Sequence, residues 1–226
     1  MISVAIDGPS GAGKSSLARR LAAELGYIYV DTGAMFRAVG LYALRAGRDP
    51  RDADAVTALL PQITLRLEVS AGAQRIYLNG EDVSEAIRAE QVGMAASAVA
   101  VHPAVRTFLL EQQRAVAAAS NVLMDGRDIG TVVLPDATVK VFLTASPEAR
   151  AQRRQKELLD KGLPADYGTV LADIRQRDYQ DSHRDAAPLR RAENAVLLDT
   201  SELDFSQSYA ALRDIVLART GPERGV

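Results

Sequence analysis

The 226-residue sequence contains no cysteine and only two histidines, His102 and His183. Without cysteine, disulfides, zinc–thiolate sites and thiol catalysis are excluded. Two histidines so far apart in the chain do not predict a histidine-rich metal site.

Long apolar runs and a basic leader are also missing. Residues 1–7 read MISVAID, which predicts a strand and not a signal peptide. No apolar run reaches the length of a membrane-spanning helix. The net charge of −2 argues against bulk electrostatic binding to nucleic acid. We expect a cytoplasmic protein that contacts neither membrane nor nucleic acid and acts as a monomer.

Short apolar runs alternate with helical patterns along most of the chain. The leucines at 17, 21 and 25 show the spacing of an amphipathic helix, for example. Strands that alternate with helices predict an α/β fold, here a doubly wound parallel sheet of five strands. Strands are predicted near 2–6, 27–30, 122–125, 139–143 and 195–198, and helices near 17–25, 34–46, 84–101, 103–120, 147–162, 166–184 and 205–219.

A different pattern fills residues 63–85. Apolar and polar residues alternate from Ile63 to Val69, Ile76 and Leu78 follow, and the turn pair Asn79-Gly80 comes next. This pattern predicts a half-exposed antiparallel hairpin inserted into the α/β core. We expect Ser84 to begin the next helix, and residues 220–226 to form a frayed end.

Residues 8–15, GPSGAGKS, match the phosphate-loop motif in full. Glycines let successive backbone N–H groups surround a phosphate, and the helix that follows directs its positive end at the same anion. Lys14 is predicted to contact the β- and γ-phosphates of ATP, and the Ser15 hydroxyl to ligate Mg²⁺. The predicted ATP-binding residues are Gly8, Pro9, Ser10, Gly11, Ala12, Gly13, Lys14, Ser15 and Ser16.

The phosphate loop alone leaves several protein classes open. A regulatory GTPase would need an N-K-x-D segment, and a transport ATPase an L-S-G-G-Q-like signature, and the sequence contains neither. A small kinase remains, whose acceptor pocket is expected at the carboxyl ends of the strands. Those ends read DTG at 31–33 and DGRD at 125–128, with Arg37 one helical turn beyond the first.

Six longer motifs narrow the class further. They read IDGPSGAGKSS at 6–16, DTGAMFR at 31–37, NGEDVSEAIR at 79–88, AASAVA at 95–100, DGRDIGTVVLPDA at 125–137 and RDYQDSHRDAAPL at 177–189. Over residues 2–217 the chain resembles the bacterial cytidylate kinases of the nucleoside monophosphate kinase group. The resemblance implies ATP-dependent phosphorylation of CMP and dCMP to CDP and dCDP in pyrimidine nucleotide metabolism, with Mg²⁺.

The resemblance also implies roles for individual residues. Arg37, Arg127 and Arg184 match the arginines that bind the CMP phosphate. Ser97, Arg106 and Asp128 match the residues that read cytosine, and Arg177 and Asp181 those at the ribose. Lys14, Arg127, Arg184, Arg153 and Arg154 are expected to stabilise the transferring phosphoryl group, the last two from a mobile lid. Thr32 stands where the family often has serine, and Ser15-Ser16 where Gly-Thr is common; both keep a hydroxyl.

The same resemblance gives the domain organisation. We expect a single kinase domain over 1–226, with a core of 1–62, 86–147 and 185–226, a CMP-binding β insert at 63–85 and a lid at about 148–184. Two alternatives remain open. One is a related kinase for UMP, AMP or a non-nucleotide acceptor, and the other is a nucleotide-binding regulatory module without transfer activity.

Overall fold

The computed structural model describes residues 1–70 and 73–221. Strands and helices alternate along most of this length, as the apolar pattern predicts. The strands within it are β1 (Ser3–Asp7), β2 (Ile28–Asp31), β3 (Leu65–Ser70), β4 (Ala73–Leu78), β5 (Glu81–Asp82), β6 (Val122–Gly126), β7 (Val139–Thr144) and β8 (Val196–Asp199). The α-helices are α1 (Lys14–Glu24), α2 (Thr32–Arg45), α3 (Ala53–Leu59), α4 (Glu90–Val99), α5 (Pro103–Ala119), α6 (Pro147–Asp160), α7 (Tyr167–His183) and α8 (Phe205–Thr220).

The main sheet has five strands in the order β2-β6-β1-β7-β8. β7 pairs in parallel with β1 on one side and with β8 on the other, so that Ile6 lies opposite Val141 and Leu143 opposite Leu198. Both faces of such a sheet are covered, which is why its strands are near-continuous apolar runs. The predicted doubly wound α/β fold is confirmed.

The chain forms two compact units. The P-loop unit comprises residues 2–27 and 123–226, and the insert unit comprises Met1 and residues 28–122. In the P-loop unit, Ser146 begins α6 as the sequence predicts, because its hydroxyl accepts a hydrogen bond from the Ala149 N–H at 3.1 Å. α8 begins with a reciprocal capping box between Asp204 and Gln207.

The insert unit has its own apolar core. Met35 and Val39 of α2, Val99 of α4 and Leu109 of α5 are almost completely buried in one cluster, which Ile76 of β4 also joins. α2 and α4 approach so closely at Gly40 that an added Cβ would lie 2.9 Å from the Ala96 nitrogen. Only glycine fits there without a shift of one helix.

The smaller sheet has the order β3-β4-β5 and is antiparallel. Asn79 and Gly80 both have positive φ, 50° and 87°, and form the tight turn from β4 into the two-residue β5. Residues 71–72, between β3 and β4, lie outside the described residues. The Asn79 side chain accepts from the Thr64 N–H at 2.7 Å, which fixes the start of β3.

The prediction that Ser84 begins a helix is wrong. The Ser84 hydroxyl accepts a hydrogen bond from the Ile76 N–H at 3.1 Å and so completes the small sheet. A short 3-10 turn follows at Ala86–Arg88, and Ala89 is extended with ψ of 142°. α4 therefore starts only at Glu90.

The last helix continues through Thr220. Thr220 is therefore not part of a frayed end, and residues 222–226, which complete that prediction, lie outside the described part of the chain. No single helix in that part is long and apolar enough to cross a membrane. α4 and α5 together have the length and composition of a span but are bent by 101° at the break between them.

Candidate active site

The phosphate loop, residues 8–15, connects β1 to α1 in the P-loop unit. A Cβ at Gly8 would lie 1.9 Å from the Leu143 carbonyl oxygen of β7, so no side chain fits at this position. Lys14, Ser15 and Ser16 form the first turn of α1. Backbone N–H groups at this helix end have no partners within the helix, and they are suited to bind phosphate oxygens.

Lys14 is only 5% exposed, and its Nζ donates to the Pro9 carbonyl oxygen at 2.7 Å. Burial, aided by the Arg127 charge, lowers the pKa of Lys14 to about 7, although Asp125, Asp181 and Asp7 oppose the change. A buried ammonium with so low a pKa holds its proton weakly, and a new anionic partner would stabilise its charged form. Phosphate oxygens at the loop would be such a partner.

The Ser15 hydroxyl donates to Oδ2 of Asp125 at 2.9 Å. Asp125 lies near the carboxyl end of β6 and is 4% exposed. A hydroxyl and a carboxylate at the start of a phosphate-loop helix fit Mg²⁺, which takes few protein ligands and completes its shell with phosphates and water. Within residues 1–70 and 73–221, no cluster of three or more acidic, histidine or cysteine side chains could hold a metal alone.

Asp125 is a candidate metal ligand that the sequence analysis missed, since it named Ser15 alone. The available signal was an acidic residue at the end of a buried apolar strand. That signal is weak on its own, because Asp125 and Asp128 both follow the same run and only the fold shows which one faces Ser15.

Asp7 holds the segment that follows β6. Its Oδ1 accepts from the Ile129 N–H at 2.6 Å and its Oδ2 from the Gly130 N–H at 2.7 Å. Residues 129–133 form one turn of π-helix, a form that often occurs at functional sites. Burial raises the pKa of the Asp7 carboxyl to about 6 in spite of these two bonds. Asp7 thus fixes the backbone next to Asp128, although burial of its ionised carboxylate lowers the stability of the fold.

We expect Asp7→Asn to change how stability depends on pH. In the unfolded chain this carboxyl loses its proton near 3.8, and in the folded chain near 6. The Asp7 contribution to stability is therefore complete below about pH 4 and falls as pH rises through 6, by about 3 kcal/mol. The difference in free energy of unfolding between wild type and Asp7→Asn should fall over this interval in denaturant titrations. A difference that is constant or increases with pH would contradict the assignment.

Two arginines and two aspartates lie together in the P-loop unit. Arg127 Nε donates to Asp181 Oδ2 at 2.7 Å. The guanidinium of Arg184 is buried, with one nitrogen 3.8 Å from Asp128 Oδ1 and another 3.8 Å from Asp181 Oδ1. Arg177 is half-buried on α7, one turn before Asp181 and on the same face. The structure therefore brings four of the predicted acceptor-site residues into one charged network.

A strained turn holds Arg184 in this network. Ala187 has φ of 49°, a conformation that residues with a Cβ rarely adopt. Its carbonyl oxygen accepts from Arg184 Nε at 2.8 Å, and the Leu189 N–H donates to the Asp181 carbonyl at 2.7 Å. Such strain persists only where surrounding contacts impose it, and functional sites are where it concentrates.

The insert unit carries the remaining predicted acceptor residues. Asp31 caps α2 by accepting from the Ala34 N–H at 2.9 Å, and its other oxygen accepts from Arg37 Nη2 at 2.7 Å. Thr32, the first residue of α2, is 3% exposed. The Asp31 N–H donates to the Gln74 side chain at 2.8 Å, which ties this corner to β4. Arg37 is thus oriented by its own helix cap.

Ser97 and Arg106 lie on α4 and α5 of the same unit. The Ser97 hydroxyl donates to the Gly93 carbonyl at 3.3 Å, one turn back along α4. Arg106 Nη1 donates to the Ala100 carbonyl at 3.0 Å, and its guanidinium lies 5.4 Å from the centre of the Phe36 ring. A local bond of this kind leaves the Ser97 hydroxyl able to accept from a ligand.

The three arginines of α6 at positions 150, 153 and 154 have different partners in the structure. Arg153 donates to Thr200 Oγ1 at 3.2 Å and to the carbonyls of Thr200 and Leu203, the second at 3.2 Å. Arg154 is paired with Glu157 at 3.0 Å on the surface. Arg150, which the sequence analysis omitted, is the α6 arginine that contacts the phosphate loop, through the Ser10 carbonyl at 3.0 Å. The nucleotide-binding role of Arg153 and Arg154 stays a prediction.

A phosphate loop that leads from a central parallel strand into the first helix, with a serine–aspartate pair at the helix start, is the arrangement of a P-loop nucleotide-binding protein. The family model described as cytidylate kinase matches residues 4–216. The chain belongs to the cytidylate kinase family, which confirms the resemblance seen in the sequence.

Curated cytidylate kinases are similar in sequence to this protein over nearly the whole chain. A cytidylate kinase of Mycobacterium avium (strain 104) is 50% identical over 218 residues, which cover 96% of each chain. One from Geobacillus kaustophilus (strain HTA426) is 47% identical over 220 residues, which cover 97% of this chain and 98% of the relative. Among solved structures, an uncharacterized protein from Eubacterium ventriosum matches with a TM-score of 0.51, 11% identity and coverage of 98% and 100%. That last likeness concerns the fold alone.

Proposed function

We propose that this protein transfers the γ-phosphoryl group of ATP to CMP or dCMP, giving ADP and CDP or dCDP. The observation that carries the proposal is the buried Lys14 and the Ser15–Asp125 contact at the phosphate loop of a chain that belongs to this family. The reaction supplies pyrimidine nucleoside diphosphates. Since ATP and CMP are metabolites of the cytoplasm, we propose that location, and a monomer as the active form.

On the donor side, residues 8–16 are proposed to bind the phosphates of ATP. Lys14 would neutralise charge on the β- and γ-phosphates, and Ser15 and Asp125 would hold Mg²⁺. When bound, the metal supplies charge neutralisation at the phosphate oxygens. Arg150 keeps the loop in place through the Ser10 carbonyl. The deep burial of Lys14 would let it act on the transferring group with little competition from water.

On the acceptor side, each predicted residue keeps its proposed contact with CMP. Arg37, Arg127 and Arg184 would bind the phosphate, Arg177 and Asp181 the ribose, and Ser97, Arg106 and Asp128 the base. Thr32 would offer a hydroxyl at the start of α2. Arg37, Arg127 and Arg184 are held near aspartates in this structure, at 2.7, 2.7 and 3.8 Å. A phosphate is a stronger partner for these guanidinium groups, because it carries more charge and offers more acceptor oxygens than a carboxylate.

The chemistry is proposed as one direct displacement. An oxygen of the CMP phosphate attacks the γ-phosphorus of ATP, the bond from that phosphorus to the β-bridging oxygen breaks, and ADP leaves with the electron pair. The attacking oxygen is already anionic, so no strong general base is required. Positioning and charge neutralisation by Lys14 and the arginines then provide the rate acceleration. Closure of the proposed lid at 148–184 would exclude water, which would otherwise accept the phosphoryl group.

An acceptor profile tests the proposal. Release of ADP should be measured in a coupled assay with CMP, dCMP, UMP, AMP and no acceptor. We expect CMP and dCMP to give the highest kcat/KM, UMP to be lower by about 10², and ATP hydrolysis without acceptor to be slow. A maximum with UMP or AMP would identify a different kinase. Tight ATP binding without turnover of any monophosphate would identify a regulatory module.

A further inference from the structure

Arg150 is a buried arginine in the first turns of α6 whose guanidinium touches three other segments. It is 2% exposed. Its Nε donates to the Ala145 carbonyl at 2.9 Å, and Nη1 donates to the Ser10 carbonyl of the phosphate loop at 3.0 Å. Nη1 and Nη2 also form a fork with the carboxylate of Asp178, at 2.9 and 2.5 Å. One nitrogen, Nη1, therefore serves both the phosphate loop and α7.

The contact of Arg150 with Asp178 is important because α7 also carries residues of the proposed acceptor site. Asp178 follows Arg177 directly and lies one turn before Asp181, and Arg184 caps the carboxyl end of the helix. These three neighbours are proposed acceptor-site residues. A movement of Asp178 along or around the helix axis would move them as well, since residues of one helix turn move together.

A planar guanidinium has a fixed fork, so its two contacts cannot be adjusted independently. If the Ser10 carbonyl moves when the loop closes on phosphate, Arg150 must tilt, and the bidentate Asp178 must follow. The pair is also costly to separate, because Arg150 is buried and would be left without its carboxylate partner, although the Asp178 side chain is partly exposed. The pair is thus stiff enough to transmit a displacement.

We infer that Arg150 and Asp178 are positioning residues that couple the phosphate loop to α7, so that ATP and CMP each strengthen binding of the other. The inference rests on the proposed function, because it takes ATP as the ligand of the loop and CMP as the ligand near α7. Neither residue needs to touch a substrate. By linkage, the factor by which ATP tightens CMP binding equals the factor by which CMP tightens ATP binding.

The test measures the coupling factor by calorimetry. This factor is the Kd of CMP without the ATP analogue divided by the Kd of CMP with it. The Kd of CMP is determined with and without a non-hydrolysable ATP analogue and Mg²⁺, for wild type, Asp178→Asn, Arg150→Lys and the double variant. We expect a wild-type coupling factor of about five or more. Each single variant should lower it to within about twofold of one, and the double variant should lower it no further, as expected for two residues that act as a unit.

Glu148→Gln is the matched control. Glu148 of α6 and Arg175 of α7 are 2.8 Å apart, so this pair also joins the two helices, but both side chains are exposed to solvent. Its removal should leave the coupling factor at the wild-type value. Thermal unfolding followed by circular dichroism shows which variants fold. If Asp178→Asn does not, Arg150→Lys, which keeps the buried charge but loses the fork, decides the question.

Two outcomes overturn the inference. One is a coupling factor in the folded variants that equals that of wild type, or a wild-type factor near one. The other is an equal loss in Glu148→Gln, which would assign the effect to general contact between α6 and α7. Failure of the proposed function gives a different result, since wild type would then not phosphorylate CMP in the ADP-release assay.

Discussion

Lys14→Ala is expected to lower kcat by about 10² or more, which corresponds to about 3 kcal/mol of lost transition-state stabilisation. The Lys14 ammonium is 5% exposed and donates to the Pro9 carbonyl, so it is held close to where the loop would bind phosphates. Charge on the transferring group moves toward the leaving oxygen in the transition state, and a fixed cation in a water-poor site stabilises that change more than the ground state. Single-turnover kinetics with saturating ATP and CMP measure the effect.

Lys156→Ala is the control for this substitution. Lys156 lies exposed on α6, and it should leave kcat within about twofold of wild type because an exposed charge is screened by solvent. If Lys14→Ala raised KM for ATP while kcat stayed near wild type, Lys14 would contribute only to ground-state binding.

Asp128→Ala is expected to lower kcat/KM far more for CMP than for UMP, so that the ratio between the two substrates falls sharply. Cytosine presents an N4 amine donor beside an N3 acceptor, and uracil presents the reverse pattern. If Asp128 and Arg106 read the base as proposed, the Asp128 carboxylate would accept from the N4 amine but repel O4 of uracil. Arg106 would donate to N3 of cytosine but would meet an N–H in uracil. Two such mismatches at about 1–3 kcal/mol each predict a preference for CMP of about 10² or more. Ser97 both donates and accepts, so it should discriminate less.

The structure also supplies the competing explanation. Asp128 is 5% exposed and its Oδ1 lies 3.8 Å from Arg184 Nη2, so it could act only by bracing that arginine. In that case both substrates would lose kcat/KM together and the CMP/UMP ratio would persist in Asp128→Ala. Asp181→Ala is the control, because Asp181 contacts Arg127 and Arg184 but is proposed at the ribose. Asp181→Ala should lower kcat/KM for both CMP and UMP and leave the ratio of the two values unchanged.

The phosphate loop and the parallel strands could be predicted because their signals are local. An apolar run, a glycine-rich turn and a helix start follow one another over residues 2–16, and no distant contact is needed to interpret them. The start of α4 could not be predicted in this way. Ser84 is a good helix cap by residue type, but its hydroxyl is taken by the backbone of β4, a tertiary contact that overrides the local preference.

The arginines of α6 show the same limit within the site. Arg150 and Arg153 are three residues apart and share a face of the helix, so helical periodicity treats them alike. The direction of α6 after Ser146 decides that Arg150 meets Ser10 while Arg153 meets the Thr200 and Leu203 carbonyls. Asp125 was missed for a related reason, because its role depends on β6 and α1 placing it 2.9 Å from Ser15.

The close contact between α2 and α4 at Gly40 also fixes the separation between two predicted binding residues, Arg37 and Ser97. Arg37 lies one turn before Gly40 on α2, and Ser97 lies directly after the α4 backbone that Gly40 touches. If Arg37 binds the phosphate and Ser97 the base, this backbone contact fixes the span between the two ends of the bound nucleotide. The separation of α2 and α4 would then limit the size of the nucleotide that can bind. A larger purine base would need α4 to move away from α2, and rigid packing resists that shift regardless of the base's hydrogen-bonding pattern.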